Sequence, residues 1–299
     1  WRLLSDSLYV FLVPVILLLS YRFWRRPTAL RGATLGLVIG VGVLSRPESW
    51  LLLLLLAVPL AWTARGRSRR QRVQLGAVMV TLGLCVVVPY LGYNLARLNH
   101  ASLFPGSGNV MLNASCDEAY YGNNLGTLSF DCMRPIQLEV LRFALDPAAD
   151  ESDLDVAASA AARDYISSNL SRTPTVATAR VLRMLGMYRP LQLAAHDAEY
   201  EGRGSWEPYA GQFLFYLLVP VSAAGVIDLR RRGITLIPVL AIPANIVISA
   251  VGSFALLRYR APLDVVLCVL GGVGLAAWNR MLVRRSRDRA RGRPVPSIP

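Results

Sequence analysis

The sequence predicts an all-α polytopic membrane protein: about seven transmembrane helices carrying a small α-rich extracytoplasmic unit. Three observations predict it. Apolar runs approaching the length of a bilayer crossing recur along the 299 residues, without the alternation of a barrel strand. Arginine clusters follow alternate runs, at Arg22, Arg25, Arg26 and Arg31; at Arg65, Arg67, Arg69, Arg70 and Arg72; at Arg230, Arg231 and Arg232; and at Arg284, Arg285, Arg287, Arg289, Arg291 and Arg293. Between the two halves of the apolar sequence, residues 96–208 are polar and mildly acidic, with 14 Asp or Glu against 9 Arg.

The predicted spans are residues 7–21, 30–44, 49–63, 73–95, 209–227, 234–254 and 262–283. The second and third are short for a bilayer and fit by local thinning. The positive-inside rule places the basic loops after spans one, three, five and seven in the cytoplasm. Residues 1–6, the turn 45–48, the segment 96–208 and the turn 257–261 then lie outside. This gives four parts: helices in 1–95, an extracytoplasmic loop domain in 96–208, helices in 209–283, and a basic cytoplasmic tail in 284–299 that ends in a proline-rich stretch. The location is the plasma membrane, crossed many times. The net charge of +13 flanks spans rather than covering one soluble face, which speaks against a nucleic-acid partner. Every basic residue is Arg and none is Lys, a pattern of GC-rich coding rather than of a site. The first residue is Trp and no basic signal region precedes the first run, so the expectation is an absent N-terminal part of a longer protein.

The segment 96–208 is too long for a connector and is expected to pack as a unit of its own. Cys116 and Cys132 lie in it, and an extracytoplasmic compartment favours a bridge over two free thiols. Closing that loop contributes about 3 kcal/mol by chain entropy. Cys85 and Cys268 fall within spans and read as packing residues. Asp150-Glu-Ser-Asp is a helix-start signature, and the Ala-rich stretch behind it runs to Asn169. Pro174 opens a further helical stretch over 175–187, where Val176, Leu182, Leu185 and Met187 alternate with Arg180 and Arg183. A helix lying on the membrane surface and a helix packed within the unit are equally compatible with that pattern. Asn113-Ala-Ser matches a glycosylation acceptor by a three-residue pattern that recurs by chance. His100 and His196 have no partner at metal-ligand spacing, so no metal is implied. Phosphate-loop and nucleophile-elbow motifs are absent, which leaves ATP-driven transport and serine hydrolysis by those motifs without support.

Polar groups at membrane depth tend to be functional, and three short motifs share one predicted level at the outer face. Ser5-Asp-Ser7 opens the first span, Ser45-Arg-Pro-Glu48 joins the second and third, and Leu257-Arg-Tyr-Arg-Ala-Pro262 joins the sixth and seventh. If the helices bundle, Arg46, Arg258 and Arg260 face one cavity, where planar guanidinium forks suit a phosphate. Pro47 holds the turn between Arg46 and Glu48. The plainer alternative is that each arginine snorkels to headgroups. Asp264 is either an interfacial polar residue or a partner of one of these arginines.

In this order, these motifs resemble the GT-C superfamily of membrane glycosyltransferases, and within it the protein O-mannosyltransferase and aminoarabinose-transferase-like group in its actinobacterial form. The resemblance rests on Leu4-Ser-Asp-Ser-Leu-Tyr9, Leu44-Ser-Arg-Pro-Glu48, Asn113-Ala-Ser-Cys-Asp-Glu-Ala-Tyr-Tyr-Gly122 with Leu128-Ser-Phe-Asp-Cys132, Leu185-Gly-Met-Tyr-Arg-Pro190 and Arg258-Tyr-Arg-Ala-Pro262, which span nearly the whole chain. It implies transfer of a sugar from a polyprenyl-phosphate carrier to a protein, lipid or glycan acceptor outside the cytoplasm. Partners are then the lipid bilayer, the lipid-linked sugar and that acceptor. The carrier-linked sugar is a donor substrate, and no cofactor or divalent metal is indicated. By the resemblance, Arg46, Glu48, Arg258, Tyr259 and Arg260 face the donor phosphate. The acidic catalytic residue of the family belongs to a loop expected upstream of Trp1, which leaves Asp6 as a remote candidate. Asp117, Tyr120 and Tyr121 are candidate acceptor or sugar contacts, since tyrosine rings stack on sugars.

Two other classes compete. Pro14, Pro220, Pro238 and Pro243 interrupt apolar runs, as broken helices do in a transporter or flippase of a lipid-linked substrate. No repeat relates residues 1–95 to 209–283, as the inverted halves of many transporters would require. A non-catalytic membrane scaffold is the third class.

Overall fold

The computed structural model describes residues 5–100, 104–202, 204 and 206–290. Residues 1–4, with Leu4 of the first motif, and residues 291–299, with Arg291, Arg293 and the proline-rich end, lie outside the described residues. The described residues are mostly helical, and no strand occurs among them.

Helix α1 (Ser5–Arg25) runs from the Asp6 end to a basic end at Arg22 and Arg25. Helix α2 (Ala29–Ser45) returns, opened by Thr28, whose hydroxyl accepts from the Arg31 N–H. A 3₁₀ turn (Pro47–Trp50), a π-helical stretch (Leu53–Ala57) and α3 (Val58–Trp62) form the next passage. Its wide turn falls just before Pro59, which has no N–H with which to close a regular α-turn. Helix α4 (Arg69–Arg97) begins with a reciprocal Ser68–Gln71 capping box. A unit named the outer unit for its expected side follows: α5 (Ser107–Leu112), α6 (Asp117–Tyr120), a 3₁₀ segment (Phe130–Ile136), α7 (Gln137–Leu145), α8 (Glu151–Ser168), α9 (Thr173–Met184) and α10 (Pro190–Glu201). Helices α11 (Glu207–Arg231), α12 (Ile237–Gly252) and α13 (Leu257–Ala290) complete the bundle.

Among the described residues, four helices are long and apolar enough to cross a membrane: Asp6–Arg25, Arg69–Arg97, Glu207–Arg231 and Leu257–Val283. Ala29–Ser45, Pro47–Trp62 and Ile237–Gly252 are apolar but shorter, so length and composition carry four crossings rather than the expected seven. The expected turn at 257–261 is instead the first turn of α13, which starts at Leu257 and continues through Pro262.

Glycine sets the closest approaches. A Cβ on Gly36 falls onto the Met79 carbonyl of α4, and one on Gly40 comes within 2.5 Å of the Gly83 carbonyl. Small residues four apart let two backbones meet where bulky ones hold them apart. Gly225 of α11 packs in the same way on the Leu270 carbonyl of α13, beside the Ser222 Oγ bond to the Leu267 carbonyl at 2.7 Å.

In the outer unit, Asp150 caps α8 with a reciprocal Asp150–Asp153 box, and Asn169 closes it. Cys116 and Cys132 are bridged, their Cα atoms 5.1 Å apart. Helix α9 packs between the unit and α12: Val176 is buried beside Cys132 of the unit, Met184 joins the core of the bundle, and Arg180 and Arg183 are buried between them. The exposed apolar stripe of the unit lies instead on α7, at Leu138, Leu141 and Leu145.

Candidate functional site

The ends of α1, α2, α12 and α13 that point toward the outer unit enclose a cavity of about 540 Å³. Asp6 and Tyr9 of α1, the Ser45-to-Glu48 turn, and Arg258 and Tyr259 of α13 form its polar rim. Residues more than 200 positions apart in the chain thus meet because each stands at the same end of a bundled helix.

Arg46 is the hub. It caps α2 and enters the 3₁₀ turn with extended backbone (φ −141°, ψ 109°), a conformation that the following Pro47 favours. Only 5% of it is exposed. Its Nε donates to Asp6 Oδ1 at 2.7 Å, its Nη2 contacts the same oxygen, and its Nη1 donates to Glu48 Oε1 at 3.2 Å. A guanidinium buried this deeply persists only when paired and hydrogen-bonded, and Asp6 supplies most of that pairing. Three of its five N–H groups are thereby engaged, and two remain for a ligand. The Arg46 Cζ lies 4.7 Å from the Tyr259 ring centroid. Arg258 lies 5.2 Å from the same centroid and donates to the Tyr259 hydroxyl at 3.4 Å. One aromatic ring therefore carries both cations, and Phe254 supports it at 5.6 Å.

Arg260 does not share this cavity. It is two residues beyond Arg258, about 200° around the helix, so the two side chains leave opposite faces. Arg260 is 2% exposed; its Nη1 donates to Gln212 Oε1 at 2.7 Å and its guanidinium lies 4.0 Å from the Phe215 centroid. Asp264, one turn on, approaches its Nε at 3.3 Å. Of the two readings of Asp264, the ion-pair partner is the one found. Arg260 thus locks α13 to α11, and its expected place at the donor phosphate is corrected.

Asp117, Tyr120 and Tyr121 also stand apart from the cavity. Asp117 accepts from the Tyr165 hydroxyl at 2.7 Å, which holds that phenol in its protonated form: burial and the Asp117 carboxylate both push it up. Tyr120 is buried against Cys132 and Val176, edge-on to Tyr165 at 5.1 Å. Tyr121 is exposed and donates to Asn169 Oδ1 at 2.8 Å. These residues build the outer unit around its disulfide, and none of the three lines the cavity where the donor-phosphate candidates Arg46, Glu48, Arg258 and Tyr259 meet.

Sequence reasoning missed three parts of the site. The roof is the loop from Phe104 to Ser107, with Val110 of α5 behind it. It turns at Gly106, whose φ of +94° suits glycine. Buried Asp155 of α8 secures it, accepting from the Gly106 and Gly108 N–H groups at 3.0 and 2.6 Å. No local pattern announces a contact across nearly 50 residues. The inner wall is α12, through Asn245, Ile246, Ser249 and Ala250. Here a signal existed: a polar Asn inside an apolar run. The last part is the brace behind the rim. Arg180 Nη1 donates to the Val251 carbonyl at 2.8 Å and its Nη2 to the Ala114 carbonyl at 2.7 Å. Thr127 Oγ1 donates to the Ala255 carbonyl at 3.0 Å, and Gly126 accepts from the Ala255 N–H. The outer unit thus grips the turn that delivers Arg258 and Tyr259. Burial pushes Arg180 down from its ordinary value, and pushes Arg183, which holds the Leu125 and Asn123 carbonyls, down to about 10.

Chemically, the arrangement joins two cations at the mouth, two carboxylates that keep one of them in place, and an apolar trough with a few polar groups. No protein family, curated protein or solved structure matches the chain.

Proposed function

We propose that this chain is the carrier-binding part of a membrane glycosyltransferase, which moves a sugar from a polyprenyl-phosphate carrier to an acceptor outside the cytoplasm. The observation that carries the reading is the meeting of Asp6, Arg46, Glu48, Arg258 and Tyr259 on one cavity whose lining is otherwise largely apolar. An anionic head on an isoprenoid tail needs those two environments side by side. In this reading the remaining Arg46 donors and Arg258 receive the phosphate, and their charge stabilises it as it leaves the anomeric carbon. Asp6 and Glu48 hold Arg46 at its angle, so Asp6 acts first as counter-ion.

The seven crossings and their sidedness belong to the same proposal. The shorter helices run between the same two ends as the long ones, from the arginine-rich end to the cavity end. At about 1.5 Å per residue, the 16 and 17 residues of α12 and α2 cover roughly 25 Å, which a slightly thinned bilayer accommodates. Positive-inside orientation then puts the cavity at the outer leaflet of the plasma membrane. The resemblance to GT-C enzymes supports the reaction class, and the acceptor is a protein, lipid or glycan.

The test is Arg258→Ala in the full-length protein, reconstituted in proteoliposomes with lipid-linked sugar. Transfer is abolished while membrane insertion is kept. Undiminished transfer sinks the proposal. Labelled lipid crossing the bilayer with no sugar transfer supports the flippase class instead.

A further inference from the structure

The wall of the cavity contains a buried acceptor that neither an ionised phosphate nor an isoprenoid tail can satisfy. Asn245 lies in the middle of α12, among some of the most apolar residues of the chain, and is 1% exposed. It lines the cavity, and among the described residues its side-chain Oδ1 has no hydrogen-bond partner. A buried amide oxygen left without a donor is destabilising. Such a group in a ligand cavity points to a donor brought by the ligand.

Position narrows the chemistry. Asn245 is seven residues before Gly252, the end of α12, so it sits about 10 Å below the rim. Ser249 follows one turn on, on the same helix face, Ser253 caps the end of α12, and both line the cavity. Their hydroxyls donate back to the Asn245 and Ser249 carbonyls at 2.8 and 2.9 Å, leaving their oxygen lone pairs to accept. A line of acceptors thus descends from the arginine rim. An ionised phosphate has no hydrogen to give them, and an isoprenoid has none either. A sugar has several.

We propose that Asn245, with Ser249 and Ser253, forms a subsite that binds the hydroxyl groups of the carrier-linked sugar and sets sugar selectivity. The inference rests on the glycosyl-transfer reading and deepens it: Arg46 and Arg258 hold the phosphate, and the α12 line reads the sugar.

The experiment compares wild-type full-length protein with Asn245→Leu in nanodiscs. Affinity is measured for polyprenyl monophosphate, bare or carrying one of a panel of hexoses and pentoses. The wild type prefers at least one sugar-bearing lipid over the bare one. In Asn245→Leu that preference falls about tenfold, the effect of losing one buried hydrogen bond. The melting temperature holds or rises, because the leucine removes an unmet polar group. A preference unchanged in the variant overturns the subsite while leaving the glycosyl-transfer reading intact. A melting temperature lowered by several degrees also overturns it, since the amide then serves packing. A wild type that prefers no sugar-bearing lipid counts against the glycosyl-transfer reading itself.

Discussion

Arg180 tests whether the outer unit positions the cavity. Its guanidinium ties two backbone carbonyls that have no other evident donor: Val251, in the last turn of α12, and Ala114, after α5. Carbonyls in a last helical turn have no intrahelical partner and depend on groups of this kind. Arg180→Met keeps much of the stem and removes both bonds. Charge-assisted bonds contribute about 1.5–3 kcal/mol each, or roughly 3–6 kcal/mol together. Against this stands the burial of a cation only 6% exposed, the same burial that lowers its proton affinity. The net loss is about 3 kcal/mol. It is local, because Thr127 and Gly126 still hold Ala255. Hydrogen exchange in nanodiscs reads it directly: amides from 251 to 259 open roughly 100-fold more often, while those of α4 keep their protection. Thr127→Val, which removes one neutral bond of about 1 kcal/mol to the same turn, gives a smaller change at the same amides. Unaltered protection of 251–259 in Arg180→Met refutes the idea that the outer unit holds the Arg258 turn.

Two further outcomes follow from packing and charge. Gly36→Val drives a branched side chain into the Met79 carbonyl and separates α2 from α4; it lowers the melting temperature of the purified protein sharply, whereas Gly92→Ala, where a Cβ meets nothing, leaves it nearly unchanged. His196 is held below its ordinary value, first by burial and then by the Arg183 charge, so the unfolded chain binds a proton more readily than the folded one. Its contribution is present above about pH 6.5 and is lost as pH falls toward the depressed folded value; acidification from pH 7.5 to 5.5 therefore lowers the wild-type melting temperature more than that of His196→Gln, and equal slopes refute the assignment.

Much of the helix layout could be read from residue order, because a bilayer-length apolar run and an arginine cluster are local features. The α8 start was equally legible: Asp150 and Asp153 satisfy each other's backbone N–H groups within four residues. What local pattern could not decide was facing. Arg180 and Arg183 interrupt the apolar positions of α9, a pattern equally open to a helix on the membrane surface and one packed within the unit, and both turn inward. Their acceptors are carbonyls at 114, 123, 125 and 251, which a periodicity argument cannot see. Arg258 and Arg260 read as a pair only if residues 257–261 form a turn. Once helical, they are separated by geometry, one to the cavity and one to Gln212.

The same distinction explains how the site is built. Asp6 and Arg46 are each recognisable as polar residues at a helix end, but only folding brings them together. Arg46 must be buried to stand beneath Tyr259, and burial of a cation is unfavourable without Asp6. Asp6 in turn sits in the first turn of α1, where the positive end of the helix dipole favours a carboxylate. The pair is therefore a fixed part of the fold before any ligand arrives. Arg258 differs: it is half-buried at the mouth, on a turn gripped by the outer unit rather than by the bundle. Arg46 is thus set by the bundle itself, whereas the position of Arg258 depends on how the outer unit holds the segment before it.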